Sequence, residues 1–557
     1  MKERIIIIGG LSAGPSAAAK ARRTNEQAEI LLFEKTSHIS YATCGIPYAM
    51  SGKIASRDKL MVVKPQLLEQ RFGVEIHLNE PVIDIDPEQQ TVYTPEGKYA
   101  YDKLIFATGG RAVVPPIDGL SSYKNWAHAK TIEDFDKVMS SGIMETAEHI
   151  TIVGAGLIGL ETAENLYHAG KKVTVIELGD QILAPWDKKF ARMAEAVLQE
   201  RGIDLRLGVS VSAIDAQTNT LTLSNGEQIS TDYMLVGISV KPNTEMLTAK
   251  GAEQLGNGAL IVNERMETSL PNIYAAGDCA SIPNMVTGTP CWFPMGTHSN
   301  KGGRAAGANA AGGKATFEGG YGTAIMKLFD YTIARTGMNP KTLEKAGLPY
   351  ASTFVIAGAT PSFYPNQKDI YLEIYYHPET RQLYGAELFG EVGVDKRVDV
   401  LATAIYAKLT IDDLPKLDLA YAPPFSPAKD PVIVAGYTAS NSLDNQYNEI
   451  NAAEADCIFT ANPAGDYTIL DVRNPQEIEK NGTIENAINI PLDSLRDRLQ
   501  ELNKEQEIFV YCAKGLRGYL ASLILQHNEF LQINNIAGGF TAWQKIIGKV
   551  VEMTPVH

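Results

Sequence analysis

Two cysteines stand among neighbours that could give them chemistry. Cys44 lies in SYATCGIPY, residues 40–48, between small and rigid residues. Cys512 ends an apolar run in IFVYCAKGLRGYLAS. A thiolate attacks a sulfur–sulfur bond to give a mixed disulfide. That attack needs a lowered thiol pKa, which a helix N-terminus or a nearby cation supplies. The other cysteines, Cys279, Cys291 and Cys457, are read as structural, and no CxxC occurs. An odd count at wide spacings argues against a zinc ribbon and a disulfide scaffold, so no metal is expected and a reducing cytoplasm is.

The elements that must position these sulfurs are legible from the N-terminus. IIIIGG runs into LSAGPSAAAKARR: a strand, a tight turn and an alanine-rich helix. ILLFEK then forms a second strand ending in Glu34 and Lys35. Gly9, Gly10 and Gly14 frame the turn, with Leu11 where G-x-G-x-x-G would place its middle glycine. A second unit, ITIVGAGLIGLETAENLYHAGKKVTVIEL, has the full pattern in Gly154, Gly156 and Gly159, and its second strand ends in Glu177. Such glycines let backbone N–H groups at a helix start hold a pyrophosphate, while the carboxylate accepts hydrogen bonds from a ribose. No arginine follows Glu177 in ELGDQIL to hold a 2′-phosphate, so NADH is preferred over NADPH.

The apolar start is too short for a spanning helix and lacks a cleavage signal, so a buried parallel strand is expected and no membrane span. A net charge of −15 over 557 residues argues against nonspecific nucleic-acid binding as the main role.

The order of glycine turn, ATGG at 107–110, second glycine turn and NIYAAGD at 272–278 resembles the pyridine nucleotide-disulfide oxidoreductases. That resemblance implies FAD on the first fold and NAD(P)H on the second, with Thr108 and Gly109 returning to the flavin and Asp278 on its ribityl chain. Most relatives pair their cysteine in C-x4-C, but position 49 is Ala. SYATCGIPY is similar instead to coenzyme A-disulfide reductases, in which a single cysteine forms a mixed disulfide with coenzyme A. Coenzyme A carries phosphates, and arginine suits phosphate. Lys20, Arg22 and Arg23 on the first helix are candidates; the resemblance adds Arg71, Lys429, Ser40, Thr43 and Asn300. YAPPFSPAKDP, 421–431, resembles the family segment that sends a tyrosine across a homodimer, making Tyr421, with Tyr364 second, a candidate proton donor to a leaving sulfur. His377-Pro378 is read as structural.

The C-terminal stretch YTILDVRNPQEIEKNGTIENAINIPL and the closing IAGGFTAW resemble rhodanese domains. There Cys512 ends a strand and Ala513, Lys514, Gly515, Leu516 and Arg517 form a loop entering a helix. Loop N–H groups, the helix dipole and the two cations would stabilise a thiolate and a persulfide. Arg517 follows Cys512 after four residues, one short of the phosphatase C-x5-R loop.

The expected fold is α/β. Two Rossmann-like dinucleotide-binding domains comprise an FAD domain in two parts (1–112 and 251–324) and an NAD(P)H domain (113–250). An α+β dimerisation domain (325–437), a linker (438–455) and a C-terminal α/β rhodanese domain (456–557) follow. The expected activity is reduction of sulfur–sulfur bonds with FAD, NADH and coenzyme A, on coenzyme A disulfide, coenzyme A persulfide or polysulfide, by a cytoplasmic homodimer. An NADH oxidase or peroxidase working through a sulfenic acid, and a redox-sensing or sulfur-carrier protein without turnover, are the alternatives.

Overall fold

The computed structural model describes residues 2–445, 447–463 and 465–551. It divides into two compact units: Met1–Leu183 with Leu198–Gly322, and Ala184–Val197 with Thr323–His557.

The first unit is built on two parallel five-stranded sheets. One runs Ile273–Ala275, Lys103–Phe106, Arg4–Ile8, Glu29–Glu34, Val74–Leu78. Ile5, Ile6 and Ile7 are wholly buried, as an uninterrupted apolar strand inside a parallel sheet must be. Each such side chain contributes about 1.5–3 kcal/mol on burial. Strand Ile273–Ala275 comes from beyond residue 251 yet completes this first sheet, as a domain in two sequence parts requires. The other sheet runs Asp204–Leu207, Lys172–Glu177, His149–Val153, Tyr233–Val236, Trp126–His128. Helix Gly296–Ala310 lies against helix Ala13–Thr24 at very short range. A Cβ on Gly303 would stand 2.3 Å from the Ala13 carbonyl oxygen, and one on Gly307 2.2 Å from that of Ala17.

The second unit contains an antiparallel sheet in the order Ala324–Leu328, Tyr331–Gly337, Leu383–Gly390, Asp369–Tyr376, Ala351–Gly358. Residues 184–197 belong here, although the sequence places them within 113–250. The reason lies in the sheet. Glu373 and Glu387 face each other on adjacent strands and are buried. The segment supplies what they need: Lys189 pairs with Glu373, and the Asp187 N–H donates to Glu387.

The C-terminal sheet is parallel: Asn448–Ile450, Ile533–Ile536, Glu507–Tyr511, Tyr467–Asp471, Ile488–Asn489. The expected linker, 438–455, is therefore corrected. Its first part continues helix Pro431–Asn445, its middle is the edge strand Asn448–Ile450, and its end enters helix Ala452–Ala461, capped by Asn451 and Glu454. The stretch is low in large apolar residues because it packs largely through small ones, with Ala439, Ala452 and Ala455 buried beside Tyr447. The expected rhodanese boundary at 456 moves forward to include that strand. Among the described residues no helix is long and apolar enough to cross a membrane.

Candidate active site

The two glycine turns of the first unit are built alike. Gly9 and Gly154 have φ of +105° and +107°, which glycine adopts freely. Gly14 and Gly159 each face the carbonyl of the turn's first glycine, where a Cβ would lie 1.9 Å and 2.0 Å away. Gly156 has nothing within 4 Å of an added Cβ, so this glycine leaves room for a ligand rather than for packing. Gly10 packs under Ile39. Each turn is clasped by its strand-end carboxylate. Glu34 accepts from the Gly10 N–H at 2.8 Å and from Thr36; Glu177 accepts from the N–H groups of Ala155 and Gly179, both at 2.8 Å. These bonds fix both carboxylates beside the helix starts. Lys35 is exposed next to Glu34.

A cavity of about 700 Å³ opens beside the first turn. Leu11, Ser12 and Asp278 line it, and so does Cys44, which is exposed at the start of the short helical turn Thr43–Gly45. Among the described residues Cys44 is the only cysteine lining it. Cys279 and Cys291 donate to backbone carbonyls, and burial pushes their thiols up to about 11 and 12. Asp278 accepts from Ser299 at 3.3 Å, has Lys130 at 3.9 Å, and its carbonyl accepts from the Trp292 indole at 2.9 Å. Thr108 and Gly109 are tied to Asn243: the Thr108 hydroxyl donates to the Asn243 carbonyl at 2.6 Å. The free N–H groups of the helix that follows Ser12, the Asp278 carboxylate and the cavity between them fit the pyrophosphate and polyol of FAD.

Of the residues expected to hold coenzyme A, Arg23, Ser40, Thr43 and Asn300 line this same cavity. Asn300 also accepts from the Ser16 hydroxyl at 2.7 Å. Arg22 does not fit that role. Its guanidinium donates to the carbonyls of Phe72, Glu26, Ala28 and Gly73, closing the helix onto its neighbours. Lys20 and Arg71 are not among the lining residues, and Lys429 lines a different cavity, in the second unit. Sequence reasoning missed Arg304, one helical turn beyond Asn300, and Lys130; both line the Cys44 cavity. It also missed Glu161. Its carboxyl accepts from Tyr48 at 3.4 Å, and burial pushes it up to about 7, while burial and that carboxylate push Tyr48 up to about 12. Position four after Asn300 on a glycine-rich helix is the one signal that could have found Arg304.

In the second unit, Cys512 follows strand Glu507–Tyr511 and is 2% exposed. The Gly515 N–H donates to its sulfur at 3.1 Å, and Gly515 takes φ +131° to do so. Helix Leu516–His527 then starts, directing its dipole at the loop. Ala513 accepts from the Thr541 N–H at 3.0 Å, and Leu516 is exposed. The two expected cations are each already paired. Arg517 binds Glu477 through two bonds of 2.6 Å, and Lys514 binds Asp369 at 2.7 Å. The carboxylates offset part of that charge, but Arg517 still interacts electrostatically with Cys512 and adds to the positive potential of the loop N–H groups and the helix start. Beneath the loop Arg473 and Asp471 form an ion pair, 1% and 0% exposed, extended by Thr483 and Tyr511. Tyr364 is half-buried and Tyr421 is 53% exposed. His377 caps the turn that follows it, accepting from the N–H groups of Glu379 and Thr380.

Residues 3–296 match the pyridine nucleotide-disulphide oxidoreductase model, 323–431 the dimerisation domain of that family and 459–546 the rhodanese-like domain. The NAD(P)H coenzyme A polysulfide/persulfide reductase of Pyrococcus horikoshii is 34% identical over 438 residues, 78% of this chain and 98% of that one. The reduced CoADR-RHD of Bacillus anthracis superposes with a TM-score of 0.94 at 34% identity, covering 99% of this chain and all of that one. The NAD-dependent persulfide reductase of A. fulgidus gives 0.89 at 35% identity, over 97% and 100%. By its matched domains, its turns and its near-complete coverage of these enzymes, the chain belongs to the pyridine nucleotide-disulphide oxidoreductase family and carries a rhodanese-like domain behind its dimerisation domain.

Proposed function

We propose that the protein reduces sulfur–sulfur bonds of coenzyme A disulfide, coenzyme A persulfide and polysulfide, using FAD and NADH. The observation that carries this reading is the single exposed thiol of Cys44 in a cavity that also holds Arg23, Asn300 and Arg304. Among the described residues no second protein thiol lines that cavity, so the partner sulfur comes with the substrate. The basic and amide groups bind its phosphates, and Ser40 and Thr43 orient the arm beside Cys44.

The Cys44 thiolate attacks the inner sulfur of a coenzyme A persulfide. A Cys44–coenzyme A disulfide forms, the outer sulfur–sulfur bond breaks, and hydrosulfide leaves. FAD, when bound at the first glycine turn, supplies the electron pair, drawn from NADH, that returns this disulfide to two thiols. Glu34 and Glu177 accept from the ribose hydroxyls at the two sites, Glu177 favouring NADH. Cys512 carries a sulfane sulfur, held by the Gly515 N–H and the helix start.

The functional form is a homodimer, in which the exposed Tyr421 and Phe425 find cover and Tyr421, with Tyr364, protonates a leaving sulfur in the partner's site. Cys44→Ser tests the reading. NADH-dependent release of sulfide and coenzyme A should disappear. Full turnover in that variant sinks the scheme, and NADH oxidation that consumes oxygen without added disulfide moves the protein to the oxidase class.

A further inference from the structure

A second cavity, of about 450 Å³, lies in the second unit where the rhodanese loop meets the dimerisation domain. Its size suits a metabolite rather than a polymer. Phe354, Ile356 and Val434 give it an apolar wall on the dimerisation side. Gly515, whose N–H holds the Cys512 sulfur at 3.1 Å, also lines it, so the cavity borders the sulfur-carrying loop. The junction is built: Lys514 reaches across to Asp369 at 2.7 Å, and Gly538 packs against the Phe354 ring, leaving an added Cβ only 2.6 Å away.

The two rim lysines differ. Lys514 is paired with Asp369, whereas Lys429 has no ion-pair partner among the described residues. The cavity also holds one carboxyl, Glu449 on the strand Asn448–Ile450, which accepts from the Tyr447 hydroxyl at 3.1 Å. Glu373 and Tyr376 of the dimerisation sheet, Tyr437 of helix Pro431–Asn445, Tyr519 of helix Leu516–His527, and the two lysines are the other titratable groups around this pair among the described residues.

We propose that this cavity is the acceptor site of Cys512, taking a short aliphatic thiol with an anionic end whose charge meets Lys429 and whose thiol proton passes to Glu449. The step is redox-neutral. The acceptor thiol gives its proton to the Glu449 carboxylate, and its sulfur attacks the outer sulfur of the Cys512 persulfide. A new persulfide forms on the acceptor, the Cys512 sulfur–sulfur bond breaks, and Cys512 leaves as thiolate. Burial sets the Glu449 carboxyl at about 7, which matches a base working near neutral pH.

The inference rests on the sulfane-carrying role of Cys512 and is tested without nicotinamide. Full-length Cys44→Ser protein is loaded from thiosulfate, with Cys512→Ser as the blank, and offered 3-mercaptopropionate, 2-mercaptoethanol or sulfite in single turnover. 3-Mercaptopropionate should be preferred over 2-mercaptoethanol, and Lys429→Glu should reduce that preference about tenfold. Thr438→Phe, which fills the cavity from helix Pro431–Asn445, should slow both thiols relative to sulfite. Glu449→Gln should lower the ratio of thiol to sulfite rates at least tenfold and remove the inflection near neutral pH from the thiol profile. Loading followed by transfer that ignores all three substitutions overturns the cavity assignment alone. Failure to load Cys512 overturns it together with the sulfane-carrying role.

Discussion

Glu387 makes the stability of the second unit depend on pH. Its side chain is 1% exposed, between strands of the dimerisation sheet. The Asp187 N–H donates to both its oxygens at 3.2 and 3.0 Å, the Asn339 amide donates at 3.0 Å and the Tyr375 hydroxyl at 3.3 Å. Burial pushes the carboxyl up from 4.5 to about 7; Arg335 pulls it back and the Asp187 carboxylate adds to the rise. At about 1.4 kcal/mol per pK unit, that rise is worth about 3 kcal/mol. Between those two pH values the folded chain keeps a proton that the unfolded chain has released. The contribution is therefore full below pH 4.5, declines as pH rises towards about 7, and is gone above it. Glu387→Gln retains an acceptor oxygen and stays neutral, so other titrating groups cancel in the comparison. Urea unfolding, followed through the buried Trp186, should show the wild type losing about 2–3 kcal/mol relative to the variant between about pH 5 and pH 8. A difference that stays constant over that range refutes the reasoning.

Asp471→Ala leaves the Arg473 guanidinium charged and 1% exposed, which costs about 3–5 kcal/mol; thermal unfolding of the second unit should fall by roughly 6–20 °C, and an unchanged midpoint argues against the buried pair. If Glu177 accepts from the ribose as proposed, Glu177→Ala removes a bond worth about 1.5–3 kcal/mol, so the KM for NADH should rise about 10–100-fold while NADPH is used relatively better. Arg304→Ala should raise the KM for coenzyme A disulfide by a similar factor, about 10–100-fold. Arg22→Ala should lower stability and leave that KM alone, because its donors serve backbone carbonyls; the opposite pattern would return Arg22 to the substrate.

The parts of the site that local sterics dictate were legible in the sequence. Gly9, Gly14, Gly154 and Gly159 are each fixed by a φ or a carbonyl that excludes a Cβ, and Glu34 and Glu177 sit at a chain separation set by one strand–helix–strand unit. What depends on distant partners was not. Arg22 and Arg23 are neighbours in sequence, but a helix separates adjacent side chains by about 100°, so one closes onto Phe72 and Gly73 and the other faces the cavity. Nothing local distinguishes them. Arg304 enters through the Gly303 and Gly307 contacts with Ala13 and Ala17, and Asn300 meets Ser16 across a separation of 284 residues. The stretch 438–455 misled for a related reason: low apolarity signals a linker only when no close surface exists for small residues to press against, and Ala439, Ala452 and Ala455 have one. The same limit governed charge. Lys514 and Arg517 read as cations for Cys512; Arg517 does interact with that sulfur, but Glu477 also binds Arg517 and Asp369 holds Lys514, and only the fold reveals which carboxylate reaches which base. Charge near a reactive sulfur is thus a tertiary quantity, set at Cys512 by how far Glu477 offsets Arg517, whereas the backbone N–H groups that a glycine loop presents are a local one.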